Sequence, residues 1–382
     1  MTSNTPETPV QRQPDPRVPA VKVRVTSPAS LLAVIPGLLG FDPGDSIVVI
    51  GTEPSSSHVR VTLRYDVPDP RRPSTAAALA RDAVSLLRAQ GVTTAAAVGY
   101  GADRCVAPVL AALREGAAGA GIAMIELLRA EHRRYWSYVC ADPGCCPPEG
   151  TPFDATRHPA ARALRAAGKR VLRDRTALAA TVAAAGGQPG AAMRRATRES
   201  LAQFARCLNR LDRAGTPASA AKLTSVVGEI AVRGAIRHYR AGGSLPAQDA
   251  ALLTVVLGQT RVRDDAWSRM DPGHLGAHLR LWTDLTRLAR PGHVAAPASL
   301  LAFCAWQSGD GALGNVALDR ALADNPGYSM ALLLRDALDS GAPPSMARLP
   351  MTPQEVAASY DDAEAAPPAG PATVPAGEAG PE

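Results

Sequence analysis

The sequence predicts an α/β N-terminal domain with a mixed sheet, followed by an all-α helical domain that contains a tetratricopeptide-like hairpin. Three observations carry this. Residues 46–65 read as two strands joined by a short polar loop. Residues 58–128 then run strand, helix, strand, helix, strand, which requires parallel crossovers. Beyond residue 154 only helical periods recur. The 382 residues, 46% hydrophobic, suffice for a sizeable core, and a mean hydropathy of -0.04 argues against a membrane-embedded chain.

Residues 1–20 are polar and proline-rich and are expected to be disordered. The α/β domain is placed at 21–155. Val21, Val23 and Val25 alternate with Lys22, Arg24 and Thr26, the period of a half-buried strand. Ser27-Pro28 reads as a helix cap with proline at the first helical position, and Leu31, Leu32, Ile35, Leu38 and Leu39 form its apolar face. Ser46–Gly51 (SIVVIG) is a buried strand. Val59, Val61, Leu63 and Tyr65 alternate with His58, Arg60, Thr62 and Arg64, predicting the hairpin partner. A helix follows over 74–90, stopped by Gly91, then a strand over 92–100. The next helix covers 103–115, stopped by Gly116, and a further strand covers 122–128. Arg133–Cys140 adds a last strand before a loop running to about Asp154.

The helical domain is placed at 156–345. Its periods break at Gly186-Gly187, Gly215-Thr216-Pro217, Gly242-Gly243, Asp271-Pro272-Gly273 and Pro291-Gly292. Residues 298–326 fit tetratricopeptide spacing, with Leu301-Ala302, Gly314, Leu318, Ala321 and Pro326 in place and the repeat's tryptophan and tyrosine missing. A disordered Pro/Ala/Gly/acidic tail is placed at 346–382.

No secretory signal or bilayer-spanning stretch is present, so a reducing cytoplasm is the expected compartment and no membrane partner is expected. Net charge is +6, and Lys22, Lys169 and Lys222 are the only lysines. Arginine abundance with heavy Ala, Gly and Pro reads as codon bias. Arg194, Arg198, Arg206, Arg210 and Arg213 recur at mostly helical spacing opposite Met193, Leu201, Phe204, Leu208 and Leu211, which makes them a wet face. No recognition helix or aromatic RNA-binding motif accompanies them, so nucleic acid is not the expected partner.

Three thiols fall within seven residues, at Cys140, Cys145 and Cys146, on a Pro/Gly loop. They could supply three ligands to zinc, with His132 or His158 the nearest imidazoles, or a disulfide couple, or simply pack against the sheet. Strand alternation places Arg134, Trp136 and Tyr138 on one face, able to stack a planar ligand or to pack beneath the helical half. Gly99-Tyr100-Gly101 lacks the third glycine of a dinucleotide fingerprint, which is Arg104, yet it lies at a strand's C-terminal end, where α/β proteins tend to bind ligands. Asp42, Asp45 and Asp66 flank turns, with Glu149 a further carboxylate near the thiols. No nucleophile elbow, zincin or phosphate-loop pattern occurs.

Three segments carry a family likeness: SPASLLAVIPGLLGFDPGDSIVVIG at 27–51, RYWSYVCADPGCCPPEGTP at 134–152 and AWQSGDGALGNVALDRALADNPGYSMALLL at 305–334. In this order they resemble an actinobacterial family labelled domain of unknown function 4192, over roughly residues 21–345. The resemblance implies no activity, cofactor or catalytic residue. It does imply that the cysteine loop and the tryptophan strand are family features. The expectation is therefore a non-catalytic binding or scaffolding module whose helical domain meets a protein partner. The alternative is an enzyme with its site between the sheet edge and the Cys140–Cys146 loop, drawing on Asp42, Asp45, Arg134, Glu149 or the thiols.

Overall fold

A computed structural model describes residues 23–53, 58–213, 217–348 and 351–365. Ser27 opens α1 (Pro28–Leu39) through a reciprocal cap. Its hydroxyl accepts from the Ser30 backbone N–H at 3.2 Å, and Ser30 Oγ accepts from the Ser27 N–H at 2.9 Å. The strand expected just before it does not form. Val23–Thr26 carry no ladder, and Val21 and Lys22, like the segment 1–20, lie outside the described residues. Alternation alone could not supply the missing neighbour, because a strand exists only where a second strand accepts its hydrogen bonds.

The sheet contains β1 (Ser46–Thr52), β2 (Val59–Asp66), β3 (Thr94–Tyr100), β4 (Ala123–Glu131), β5 (Arg134–Ser137) and β6 (Thr151–Pro152), in the order β2-β1-β3-β4-β5-β6. β1 is antiparallel to β2, with Ser46 opposite Asp66, and antiparallel to β3, with Ser46 opposite Tyr100. β3 and β4 are parallel. The hairpin and the crossovers of the sequence reading therefore coexist. The connection through α2 (Pro73–Ala89) passes over β1, and α3 (Asp103–Gly119) links the adjacent pair β3 and β4. α3 runs through Gly116, and the chain turns instead at Gly121, φ +73°.

Both faces of the sheet are apolar. Ile47, Val49, Ala95, Ala97 and Leu127 pack beneath α2 and α3, against Leu87, Val106, Leu110 and Leu113. Val48, Ile50, Ala96, Val98, Leu128 and Ala130 face the other way and share one core with α1 and the helical region. The change of element type near residue 155 is thus not a break in the core.

That region comprises α4 (Pro159–Ala166), α5 (Arg175–Ala180), α6 (Gly187–Arg213), α7 (Pro217–Arg240), α8 (Ala247–Val256), α9 (Thr260–Ser268), α10 (Leu275–Leu288), α11 (Ala295–Gln307), α12 (Gly311–Asp324) and α13 (Ser329–Asp339). The expected breaks fall between these helices, although residues 214–216 of one of them lie outside the described residues. α11 is buried at every position from Ala295 to Trp306, as a helix apolar all round must be. Its N-terminal N–H groups find a partner in the next helix: the Asp324 carboxylate accepts from Gly292 at 2.7 Å, Val294 at 2.9 Å and Ala295 at 3.2 Å. α11 and α12 form the predicted hairpin. At Gly314 the tight neighbour is on α13, since a Cβ there would stand 3.2 Å from Leu338 Cδ1, whereas the Ala302 carbonyl of α11 at 3.5 Å would be in ordinary contact. The expected tail begins differently. α14 (Pro353–Ala365) folds back onto α9, with Val356 buried and the Tyr360 hydroxyl donating to Asp264 at 2.6 Å. Its low-complexity flanks hid it.

His278 on α10 is 1% exposed and accepts one hydrogen bond, from the Asp271 N–H at 3.2 Å. Burial holds its pKa down at about 4, with Arg240 acting in the same direction. The unfolded chain, with histidine near 6.5, binds the proton first as pH falls. The stability that His278 contributes is complete above pH 6.5 and is lost as pH drops toward 4. Urea unfolding should show a loss on the order of 2–3 kcal/mol over that window, and His278→Gln should remove that component of the pH dependence.

Candidate functional site

The candidate residues fall into two groups on the β3–β6 side of the sheet. The first group faces a cleft of about 490 Å³ past the C-terminal ends of β3 and β4. Asp42, Asp45 and Tyr100 line it with Glu131, His132, Arg133 and Asp154. Asp42 is drawn in by its backbone, whose N–H donates to Leu172 O at 2.9 Å. Burial raises the Asp42 carboxyl above the ordinary carboxylate range, and the partly buried Tyr100 beside it is also raised, first by burial and then by the Asp42 charge. The Tyr100 hydroxyl has no hydrogen-bond partner. Asp45 sits at φ +42° and stands near Gly101, where the chain enters α3.

His132 and Arg133 form the two-residue turn between β4 and β5, at φ +48° and +61°. Such a turn ordinarily takes Asn-Gly or Asp-Gly. Here it takes two residues that resist this backbone, and their side chains border the cleft. With Asp45 they are the only non-glycine residues at positive φ among the described residues. Strain of about 1–3 kcal/mol per residue gathers where it is held for a purpose. Arg133 pairs with Asp154, whose carboxyl is held below the usual range chiefly by the Thr156 hydroxyl. The sequence predicts both strands, at 122–128 and Arg133–Cys140, but not the tight turn that joins them, because no Asn-Gly signal marks it.

The second group builds the edge of the sheet. β5 is four residues long, so Tyr138 and Cys140 lie past its end rather than within it, and β6 interrupts the expected loop. Arg129 on β4 was not singled out from the sequence, yet it organises this edge. It is 9% exposed, donates to Glu131 at 2.7 Å, approaches Asp103 at 3.6 Å and lies over the Trp136 ring at 3.6 Å. Tyr138 donates its hydroxyl to Asp103. Trp136 donates its indole N–H to Pro148 O at 2.9 Å, and Arg134 donates to Gly150 O at 2.7 Å and Glu149 O at 3.3 Å. The polar groups of the Arg134, Trp136 and Tyr138 series are thus engaged within the chain. Gly150 has φ +82°, and a Cβ there would meet Trp136 at 2.5 Å.

This staple holds the far end of the cysteine loop. At the near end, Ser137 Oγ accepts from the Val139 and Cys140 N–H groups, each at 3.2 Å. The Asp142 carbonyl accepts from Cys145 at 3.2 Å and Cys146 at 2.7 Å. The sulfur atoms of Cys140, Cys145 and Cys146 lie within 4.8 Å of one another, and neither His132 nor His158 joins them. Cys140 lies below the usual thiol range, held there first by the Asp142 backbone and then by Cys146. Cys146 is pushed up to about 12 by burial and by its thiol neighbours. Arg134, Trp136, Tyr138, Glu149 and the thiols do not line the cleft that Asp42 and Asp45 enter.

A third feature lies on the helical region. Leu223, Val226 and Ile230, spaced by three and four residues on α7, are 39%, 46% and 59% exposed. The predicted arginine face of α6 is exposed as expected, but Leu201, read from the sequence as apolar-side, is also 42% exposed. Among the described residues, fully buried side chains on α6 are confined to Met193, Ala196 and Thr197 in its first half, while Phe204 packs only partly against the core. Helical periodicity shows which residues share a face; it cannot show that nothing lies against the face.

Among comparisons with known proteins, a family model described as a domain of unknown function (DUF4192) matches residues 28–345. No curated protein and no solved structure matches the chain.

Two outcomes follow from the geometry. Replacing the turn by His132→Asn with Arg133→Gly should raise stability by about 1 kcal/mol in denaturant titration, even after loss of the exposed Arg133–Asp154 pair; a decrease would refute strain at the turn. Gly150→Ala should cost about 1–3 kcal/mol and unfasten the loop. Iodoacetamide should then alkylate the loop cysteines several-fold faster; an unchanged rate would show that the Trp136 contact does not hold the loop.

Proposed function

The chain belongs to the DUF4192 family, and we propose that it acts as a non-catalytic binding module whose α6–α7 hairpin docks an acidic, amphipathic helical segment of a protein partner. The observation that carries this is the uncovered apolar row Leu223, Val226 and Ile230, on the same hairpin as the exposed Arg194, Arg198, Arg206, Arg210 and Arg213. Residues 187–240 hold ten basic and three acidic residues, net +7, while the rest of the chain holds 31 and 32, net -1. The whole positive balance of the protein therefore belongs to one helical hairpin.

Apolar positions at i, i+3 and i+7 are the form in which one helix receives another. Exposed contiguous apolar surface is uncommon on proteins without partners. The arginines of the hairpin select a partner of opposite sign and speed its approach, while the apolar row supplies affinity once water is expelled. A purely phosphate-binding surface would have no use for the apolar row.

Affinity capture of the full-length chain from its native lysate, with nuclease added, tests this. Two variants serve as comparators: Val226→Glu with Ile230→Glu, and Arg206→Glu with Arg210→Glu. All four positions are exposed, so neither variant removes a buried contact, and circular dichroism checks that each is folded. The expected result is a near-stoichiometric protein of acidic character, recovered at least tenfold less with either variant. Equal recovery by all three chains, or material lost on nuclease treatment, overturns the proposal.

A further inference from the structure

We propose that Cys140, Cys145 and Cys146 together form a three-thiolate site for a thiophilic metal ion, zinc being the ion that fits, with the fourth tetrahedral position left to solvent. Zinc–sulfur bonds of about 2.3 Å put the sulfurs of a tetrahedral site about 3.8 Å apart. The three sulfur atoms already lie within 4.8 Å of one another, so an ion would have to draw them together by at most about 1 Å.

The backbone that presents them is built independently of any ion. The Asp142 carbonyl gathers the Cys145 and Cys146 N–H groups, Asp142 Oδ1 accepts from Gly144 at 2.9 Å, and Ser137 Oγ fixes Cys140. The Trp136 and Arg134 hydrogen bonds to Pro148 and Gly150 close the other end. A preformed loop lowers the ordering cost that ligand capture would otherwise carry.

The two rival uses of the thiols fit less well. Packing as small apolar side chains requires burial, but Cys145 is exposed and Cys140 and Cys146 are only half-buried. A Cys140–Cys145 disulfide, with Cys146 as the thiol that resolves it, would need an oxidant. A metal ion uses all three. Three protein donors with an open fourth position is the arrangement of zinc sites that exchange a ligand, in contrast to closed four-donor structural sites.

The test uses the full-length chain, purified with reductant and stripped by chelator, then titrated with cobalt(II) and back-titrated with zinc(II). The expected result is one ion per chain, a sulfur-to-cobalt charge-transfer band bleached by zinc, and three fewer thiols reacting with dithionitrobenzoate in the zinc form. Cys145→Ser, at an exposed position, should weaken binding at least tenfold, whereas Cys207→Ser on α6 should leave it unchanged. Absence of the charge-transfer band, equal binding by the Cys145→Ser variant, or a disulfide among these cysteines that persists under reductant overturns the proposal.

Discussion

A sheet that is apolar on both faces governs this molecule. β1 buries six successive residues, Ser46 to Gly51, so neither side of the sheet can be left to water. Each valine, leucine or isoleucine moved out of water there contributes about 1.5–3 kcal/mol. α2 and α3 cover one side with residues adjacent in sequence. The other side has only α1 nearby, and its remaining cover comes from helices that follow the strands in the chain. The helical region therefore completes the α/β layer, and α11, buried all round, becomes the second centre about which α10, α12 and α13 pack. A carboxylate at the end of α12 satisfies the N-terminus of α11, tying the order of these helices to a polar constraint as well as an apolar one.

At the far edge the same two-sided sheet runs out of cover, and polar chemistry takes over. Arg129 occupies a position that would otherwise be core. It is retained there by Glu131, by Asp103 and by the face of Trp136, which together offset the cost of taking a guanidinium out of water. That stack orients Trp136, Trp136 fastens the loop, and the loop presents the thiols. The chain of contacts links a buried charge on β4 to three sulfur atoms on the surface. The cleft beyond β3 and β4 is a separate environment, shaped by a turn that uses residues poorly suited to turning.

Much of this was legible beforehand. The alternation of Val59, Val61, Leu63 and Tyr65, the Ser27-Pro28 cap and the glycine-marked helix breaks act through neighbours a few residues away, so local pattern suffices to read them. The likeness of segments 27–51, 134–152 and 305–334 to a family was likewise legible, and the family match covers them. What escaped was decided at long range. Nothing in SIVVIG says that β1 will sit between β2 and β3. Nothing in His132-Arg133 announces a two-residue hairpin, since the usual residues are missing. The Arg134, Trp136 and Tyr138 series was readable as a row, but its partners, Pro148, Gly150, Arg129 and Asp103, come from the loop and from other elements. Exposure of Leu223, Val226 and Ile230 is a statement about what the rest of the fold leaves uncovered, which no local pattern contains.

The segregation of charge on α6 and α7 has a consequence for how the molecule moves before it touches anything. With +7 on one hairpin and -1 on everything else, the positive charge of the protein is concentrated at that hairpin. In the field of an acidic surface it turns before contact, so that collisions are biased toward the hairpin end. At physiological ionic strength the field decays over about 8 Å, which makes the bias a short-range one, exerted in the last few molecular diameters of water. An isoelectric point near 9.2 describes the average of the chain. Another molecule approaching from the sheet side would meet a nearly neutral protein, and one approaching from the hairpin side a strongly cationic one.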